Sequence, residues 1–143
     1  MHPKVSIPTA HHECPQLSIL VAEDDAVNAT IMRRRLQALF ANRSDVDVRF
    51  ATDGCEAVEM ALSSDCDIIF MDMSMPKMSG LEATRALRKA NCHARIVACT
   101  AHAFPGKRAQ CMESGMDYYL TKPFDTKQLE HAIVQIVLDM KRR

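Results

Sequence analysis

The chain holds 143 residues, 48% of them hydrophobic and 25% charged, which is enough apolar material for one domain with a core of its own. Lysine plus arginine and aspartate plus glutamate stand at 18 each, so no net field draws the chain to nucleic acid or to an anionic membrane. Six cysteines (Cys14, Cys55, Cys66, Cys92, Cys99, Cys111) form no C-x-x-C pair and no ligand cluster with histidine, which argues against a disulfide framework and for a reducing, cytoplasmic setting.

Residues 1–16 lack an apolar stretch long enough for a signal peptide or a membrane span, and they read as a flexible leader to a domain over 17–143. His11, His12 and Cys14 within it offer metal ligands, but the composition favours a solvated leader. Leu17 to Ala22 is a short apolar run, the first strand, and it ends in Glu23-Asp24-Asp25. Asp25 is placed to cap a helix whose apolar stripe is Met32, Leu36, Leu39 and Phe40, with Val27 and Ile31 flanking it. Arg33-Arg34-Arg35 falls largely off the stripe, the pattern of a solvated face, with partner docking as the sharper alternative.

Val46 to Ala51 alternates apolar and polar, which suits an edge strand. Asp53 and Glu56 have the spacing of a capping box for a second helix reaching about Leu62. The run Ile68-Ile69-Phe70-Met71 closes on Asp72 and reads as a strand buried on both faces. Ser79 and Glu82 form the box of a third helix that reaches about Ala90. Arg95 to Thr100 is a fourth strand, and Pro105 suits the first turn of a fourth helix that Gly115 stops. Tyr118 to Thr121 is a fifth strand closed by Lys122-Pro123, and Asp125 with Gln128 caps a last helix striped by Leu129, Ile133, Ile136, Val137 and Met140.

Strands and helices that alternate in this way build a parallel sheet covered on both faces. The edge character of the second strand points to a flavodoxin-like doubly wound α/β fold, strand order 2-1-3-4-5, with five helices. In that order Glu23, Asp24 and Asp72 meet at the switch point between strands one and three. Three crowded carboxylates repel, and a hard, oxygen-rich, hydrated cluster suits Mg²⁺. Lys122 adds a second positive charge and Thr100 a hydroxyl. A metal, a lysine, a hydroxyl and a spare carboxylate describe a phosphoryl-transfer site, with the carboxylate as covalent acceptor, because no Gly-rich phosphate loop follows strand one.

Leu20-Val21-Ala22-Glu23-Asp24, Met71-Asp72-Met73-Ser74-Met75-Pro76, Ala98-Cys99-Thr100-Ala101 and Leu120-Thr121-Lys122-Pro123-Phe124 together resemble the response-regulator receiver domain of two-component signalling. The resemblance covers about Ser18 to Met140, and the Glu23-Asp24 form followed by Asn28 is most similar to receivers of hybrid histidine kinases. It implies Asp72 as the phosphoacceptor for a phosphohistidine on a histidine kinase or histidine-phosphotransfer protein. It implies Glu23, Asp24, Asp72 and the Ser74 carbonyl as Mg²⁺ ligands, and Lys122 as the partner of the phosphoryl group. Thr100 and Tyr119 become the switch pair, Ser74 and His102 the positions that tune the phosphoryl lifetime. A downstream partner would bind the face of helix four, strand five and helix five. Such a domain catalyses its own phosphorylation and dephosphorylation and is not an enzyme in the turnover sense. Asp25 departs from the pattern, since hybrid receivers usually carry asparagine there.

Rival readings fit less well. An aspartate-nucleophile phosphatase needs an acid two residues beyond the nucleophile, where Ser74 stands, and a flavin or nucleotide phosphate would be repelled by Glu23-Asp24-Asp25. A receiver-shaped interaction module that works without phosphorylation is the remaining alternative. With about one helix after Lys122, the chain is expected to be a single-domain regulator or the terminal receiver of a hybrid kinase. Core filling accounts for most of Met71, Met73, Met75 and Met78.

Overall fold

The computed structural model describes residues 17–101 and 105–141. Five strands and five helices alternate: β1 (Leu17–Ala22), α1 (Ala26–Leu39), β2 (Val46–Ala51), α2 (Gly54–Ser63), β3 (Ile68–Asp72), α3 (Gly80–Lys89), β4 (Arg95–Thr100), α4 (Lys107–Ser114), β5 (Tyr118–Thr121) and α5 (Thr126–Lys141). Every strand pairs in parallel, in the order β2-β1-β3-β4-β5 expected from the sequence. The alternating strand β2 is at the edge.

Side chains alternate across a strand, so the unbroken apolar run of β3 must serve two cores. Ile68 and Phe70 join the core made with α1 and α5, where Leu36, Leu39, Leu129, Ile133 and Ile136 are buried. Ile69 and Met71 join the opposite core, with Ala57 and Ala61 of α2, Ala83 and Leu87 of α3 and Cys111 of α4. Val27 and Ile31, the flanks of the α1 stripe, stay 67% and 41% exposed. Met71 and Met73 are buried and Met75 and Met78 pack on the second core, so the methionines here fill space.

Three of the four expected caps are formed in full. The Asp25 carboxylate accepts the Asn28 N–H at 3.0 Å. Ser79 and Glu82 close a reciprocal box, and so do Asp125 and Gln128. The Asp53–Glu56 box is only half made. Asp53 accepts the Glu56 N–H at 2.8 Å, but the Glu56 carboxylate takes the Thr52 hydroxyl at 3.1 Å instead of reaching back. Helix α4 starts at Lys107, later than Pro105 suggests, because the residue at its cap is Gly106, which has no side-chain acceptor. Gly115 ends α4 in the left-handed conformation, φ 113°, as expected.

The amino ends of the strands are tied by two hubs that fix the sheet beneath the site. Asp67 bridges β1 and β3: its carboxylate accepts the Ser18 N–H at 2.8 Å and its own N–H donates to the Ser18 carbonyl at 2.9 Å. Arg88 donates to the carbonyls of Gly115 (2.9 Å), Cys92 and Ala94 (both 2.8 Å) and to the Asp117 carboxylate (2.9 Å). It thereby locks α3 to the loops before β4 and β5. Among the described residues the five cysteines are all free thiols, and burial pushes those of Cys66 and Cys99 up to about 12, well outside a reactive range.

Candidate functional site

Because β1 and β3 are central neighbours, Asp72 and the residue following Ala22 lie side by side at the carboxyl edge of the sheet. The Glu23 N–H still pairs with the Ala51 carbonyl at 3.0 Å, and its carboxylate accepts the Asp25 N–H at 3.2 Å, so its backbone and its side chain are both held. Glu23 is 7% exposed and Asp72 9%, while Asp24 is open to solvent. The ligand oxygens of Glu23, Asp24 and Asp72 lie within 4.8 Å of one another.

Lys122 enters from the end of β5. Its backbone N–H donates to the Thr100 carbonyl at 2.7 Å, and its Nζ reaches Glu23 Oε1 at 2.7 Å and Asp72 Oδ1 at 3.3 Å. Thr100, at the end of β4, is 2% exposed. The sequence-expected group of Glu23, Asp24, Asp72, Thr100 and Lys122 is thus gathered at one sheet edge. Tyr119, level with Ala98 in the β4–β5 register, is half-buried against the core beneath α3 and α4. Ser74 is exposed, and His102 lies outside the described residues.

Burial raises Asp72 to about 7; the neighbouring Glu23 carboxyl adds to the rise and Lys122 opposes it. Burial by itself would lower the Lys122 ammonium, but the hydrogen bond to Glu23 and the charges of Asp72 and Glu23 outweigh it and hold the group above its ordinary value. One lysine therefore meets two of the three clustered carboxylates. The donor set is all oxygen, one member is open to water, and the local charge is uncompensated, which fits a hydrated hard dication such as Mg²⁺.

The loop after Asp72 is closed back onto the strand. The Gly80 N–H donates to the Met73 carbonyl at 3.2 Å, and a Cβ on Gly80 would stand 2.3 Å from the Asp72 carbonyl oxygen. A Cβ on Gly54 would stand 2.1 Å from the Met78 carbonyl. Between them Lys77 has φ 68° inside a tight turn closed by the Met78 N–H on the Pro76 carbonyl at 2.7 Å. Two glycines and a left-handed residue fold this loop flat against α2 and α3, which sets where the strand ends and where its aspartate points.

A cavity of about 340 Å³ opens beside Asp72, lined among others by Glu23, Lys122, Ile31, Arg35 and Phe124. The arginine triplet is split by it. Arg33 stacks over the Phe50 ring at 4.1 Å, Arg34 is exposed, and Arg35 turns inward to donate to the Phe124 carbonyl. Both the Arg33 and the Arg35 contacts escaped the sequence reading. Position 35 lies three residues after Met32 and four after Ile31, on the margin of the buried stripe, and that placement was the available signal.

The family model described as "Response regulator receiver domain" matches residues 19–134. The chain belongs to the response regulator receiver domain family. The hybrid signal transduction histidine kinase I of Dictyostelium discoideum is 37% identical over 124 residues; the match covers 80% of this chain and 7% of the kinase, so this receiver domain spans a small fraction of that relative. The receiver domain of sensor histidine kinase PA1611 from Pseudomonas aeruginosa, solved with a magnesium ion in its active site cleft, superposes with a TM-score of 0.75 at 33% identity, covering 85% of this chain and 97% of that one. The receiver domain of Ssk1 from Saccharomyces cerevisiae, solved with the phosphotransfer protein Ypd1, gives a TM-score of 0.75 at 28% identity, covering 89% and 92%. Among the described residues no helix of this receiver domain is long and apolar enough to cross a membrane.

Proposed function

We propose that this receiver domain takes a phosphoryl group from a phosphohistidine onto Asp72 and uses it to switch a partner-binding surface. The observation that carries the reading is the convergence of Lys122 Nζ on Glu23 and Asp72, 2.7 and 3.3 Å away, at the mouth of an open cavity. An Asp72 carboxylate oxygen attacks phosphorus, the P–N bond breaks, and the electron pair leaves with the imidazole, which picks up a proton. Lys122 is placed to pair with the transferred phosphoryl oxygens. Glu23, Asp24, Asp72 and the Ser74 carbonyl would hold Mg²⁺, which when bound neutralises the carboxylates and draws charge from the phosphoryl oxygens.

The donor would be a histidine kinase or a histidine-phosphotransfer protein. Ile31 lines the same cavity as Asp72 and, with Val27, presents apolar surface on α1 beside the acceptor. Phosphorylation turns a single carboxylate charge into a dianionic acyl phosphate, and the Thr100 hydroxyl, buried at the end of β4, is the switch donor that would meet it. Movement of Thr100 makes room toward Tyr119, which lines a groove of about 810 Å³ with Arg108, Leu120, Lys127 and Val134 on α4, β5 and α5. A downstream protein would bind there. His102 and Ser74 would tune the lifetime of the acyl phosphate. Five free thiols among the described residues accord with a cytoplasmic setting.

The test is labelling by phosphoramidate in the presence of Mg²⁺. The wild-type chain gains one acid-labile acyl phosphate, and Asp72→Asn and Mg²⁺-free samples gain none. Equal uptake by Asp72→Asn, or no uptake by the wild type, refutes the reading.

A further inference from the structure

We propose that Arg35 is a positioning residue for Lys122, acting through the loop that carries the lysine; the inference rests on the phosphoacceptor reading above. The loop is pinned on either side of its working side chain. On one side the Lys122 N–H is bound to the Thr100 carbonyl at 2.7 Å. On the other the Phe124 carbonyl accepts a hydrogen bond from an Arg35 Nη, while the guanidinium carbon lies 5.8 Å from the Phe124 ring centroid.

The Phe124 ring is 9% exposed and belongs to the core between α1 and α5, so the arginine holds a residue already anchored by packing. Arg35, Lys122, Pro123 and Phe124 all line the cavity that opens beside Asp72. Arg35 thus ties α1, the helix flanking the acidic turn, to the segment that delivers the lysine.

The geometry leaves little slack. Lys122 Nζ stands 3.3 Å from Asp72 Oδ1, so a retreat of about 0.5 Å takes it past hydrogen-bond length while contact with Glu23 survives. Phosphoryl pairing at Asp72 would suffer before the pair with Glu23 did. A guanidinium can donate to the carbonyl while its charge stays within cation–π reach of the ring, 5.8 Å from the centroid. Lysine at this position keeps the charge and one donor; methionine keeps only the apolar stem. Arg34, next along the helix and exposed, is the matched control.

The full chain is assayed with phosphoramidate, a small donor that needs no docking protein, alongside Mg²⁺ titration of the metal-free protein. Arg35→Met should slow labelling about tenfold, with Arg35→Lys about threefold slow and Arg34→Met unchanged. The Mg²⁺ dissociation constant of Arg35→Met should stay within about twofold of wild type, because no proposed ligand is touched. The backbone amide resonances of Lys122 and Phe124 should move in both Arg35 variants and not in Arg34→Met. A wild-type labelling rate in Arg35→Met overturns the inference, and so does a Mg²⁺ affinity that falls as far as the rate, which would mean general distortion of the site. If Arg35→Met fails to fold, Arg35→Lys decides: a wild-type rate with unmoved Lys122 resonances overturns the proposal. Absence of labelling in the wild type would instead sink the phosphoacceptor reading beneath it.

Discussion

Replacing Gly80 by alanine tests whether the acceptor is held by the loop behind it. The added Cβ would stand 2.3 Å from the Asp72 carbonyl oxygen and 3.1 Å from both the Asp72 carbonyl carbon and Met71 Cγ. Ordinary contact begins near 3.4 Å, so either the first turn of α3 or the end of β3 must retreat by about 1 Å. The oxygen is backbone in a central strand, and no rotamer relieves the clash. A retreat of α3 stretches the Gly80 N–H bond to the Met73 carbonyl from 3.2 Å out of hydrogen-bond range. That lost bond is worth about 1 kcal/mol, and overpacking a tight site adds about 2 kcal/mol. For a domain of this size the sum lowers the melting temperature by about 10 °C. A retreat of β3 instead displaces the Asp72 carboxylate, and misplacing a reacting group by about 1 Å slows chemistry up to about a hundredfold. Urea and thermal unfolding followed by circular dichroism, with phosphoramidate labelling on the folded fraction, separate the two routes. A Gly80→Ala protein that melts within about 2 °C of wild type and labels at the wild-type rate would refute the close-approach argument.

Two further perturbations follow from the scaffold. Arg88→Met keeps the side-chain stem but strands three carbonyl acceptors, of Gly115, Cys92 and Ala94, for an expected loss of about 3 kcal/mol read as a drop in urea midpoint at unchanged slope. Labelling by the folded fraction should persist, because the hub lies at the opposite end of the strands from Asp72. The N-cap bond from the Glu56 N–H holds the Asp53 carboxyl below its ordinary value, and the Lys77 charge acts in the same sense, while burial opposes them. A depressed folded value means the contribution is present above the unfolded pKa, about 3.9, and is lost as pH falls through the folded one. Asp53→Asn keeps an oxygen acceptor but cannot titrate, so the stability gap between wild type and variant should narrow between pH 6 and pH 3, the acid span on either side of about 3.9. A gap that widens on acidification would count against the assignment.

Much of the site was legible because its chemistry sits at strand ends. An apolar run that stops at an aspartate, a second that stops at an acidic pair, and two more that stop at a hydroxyl and a lysine declare their positions by pattern, and parallel topology sends them all to one edge. The caps were legible for the same reason, since Asp25, Ser79 and Asp125 act on amides three residues away. What escaped were one local alternative, at Glu56, and contacts between residues distant in the chain. Glu56 has the spacing of a capping box, yet its carboxylate goes to Thr52. Arg33 and Arg35 look like parts of one charged face, yet one stacks on β2 and the other reaches the loop beyond β5.

The sequence alone therefore determined the strand order, the two-faced core and the identity of the gathered acids, hydroxyl and lysine, because periodicity and local capping are short-range properties. The tertiary structure decided the rest. It set Lys122 between Glu23 and Asp72, closed the Met73–Gly80 loop through two glycines that admit no Cβ, and turned one arginine of three inward. Those outcomes depend on which backbones approach one another across tens of residues, and no pattern within a single helix or strand carries that distance.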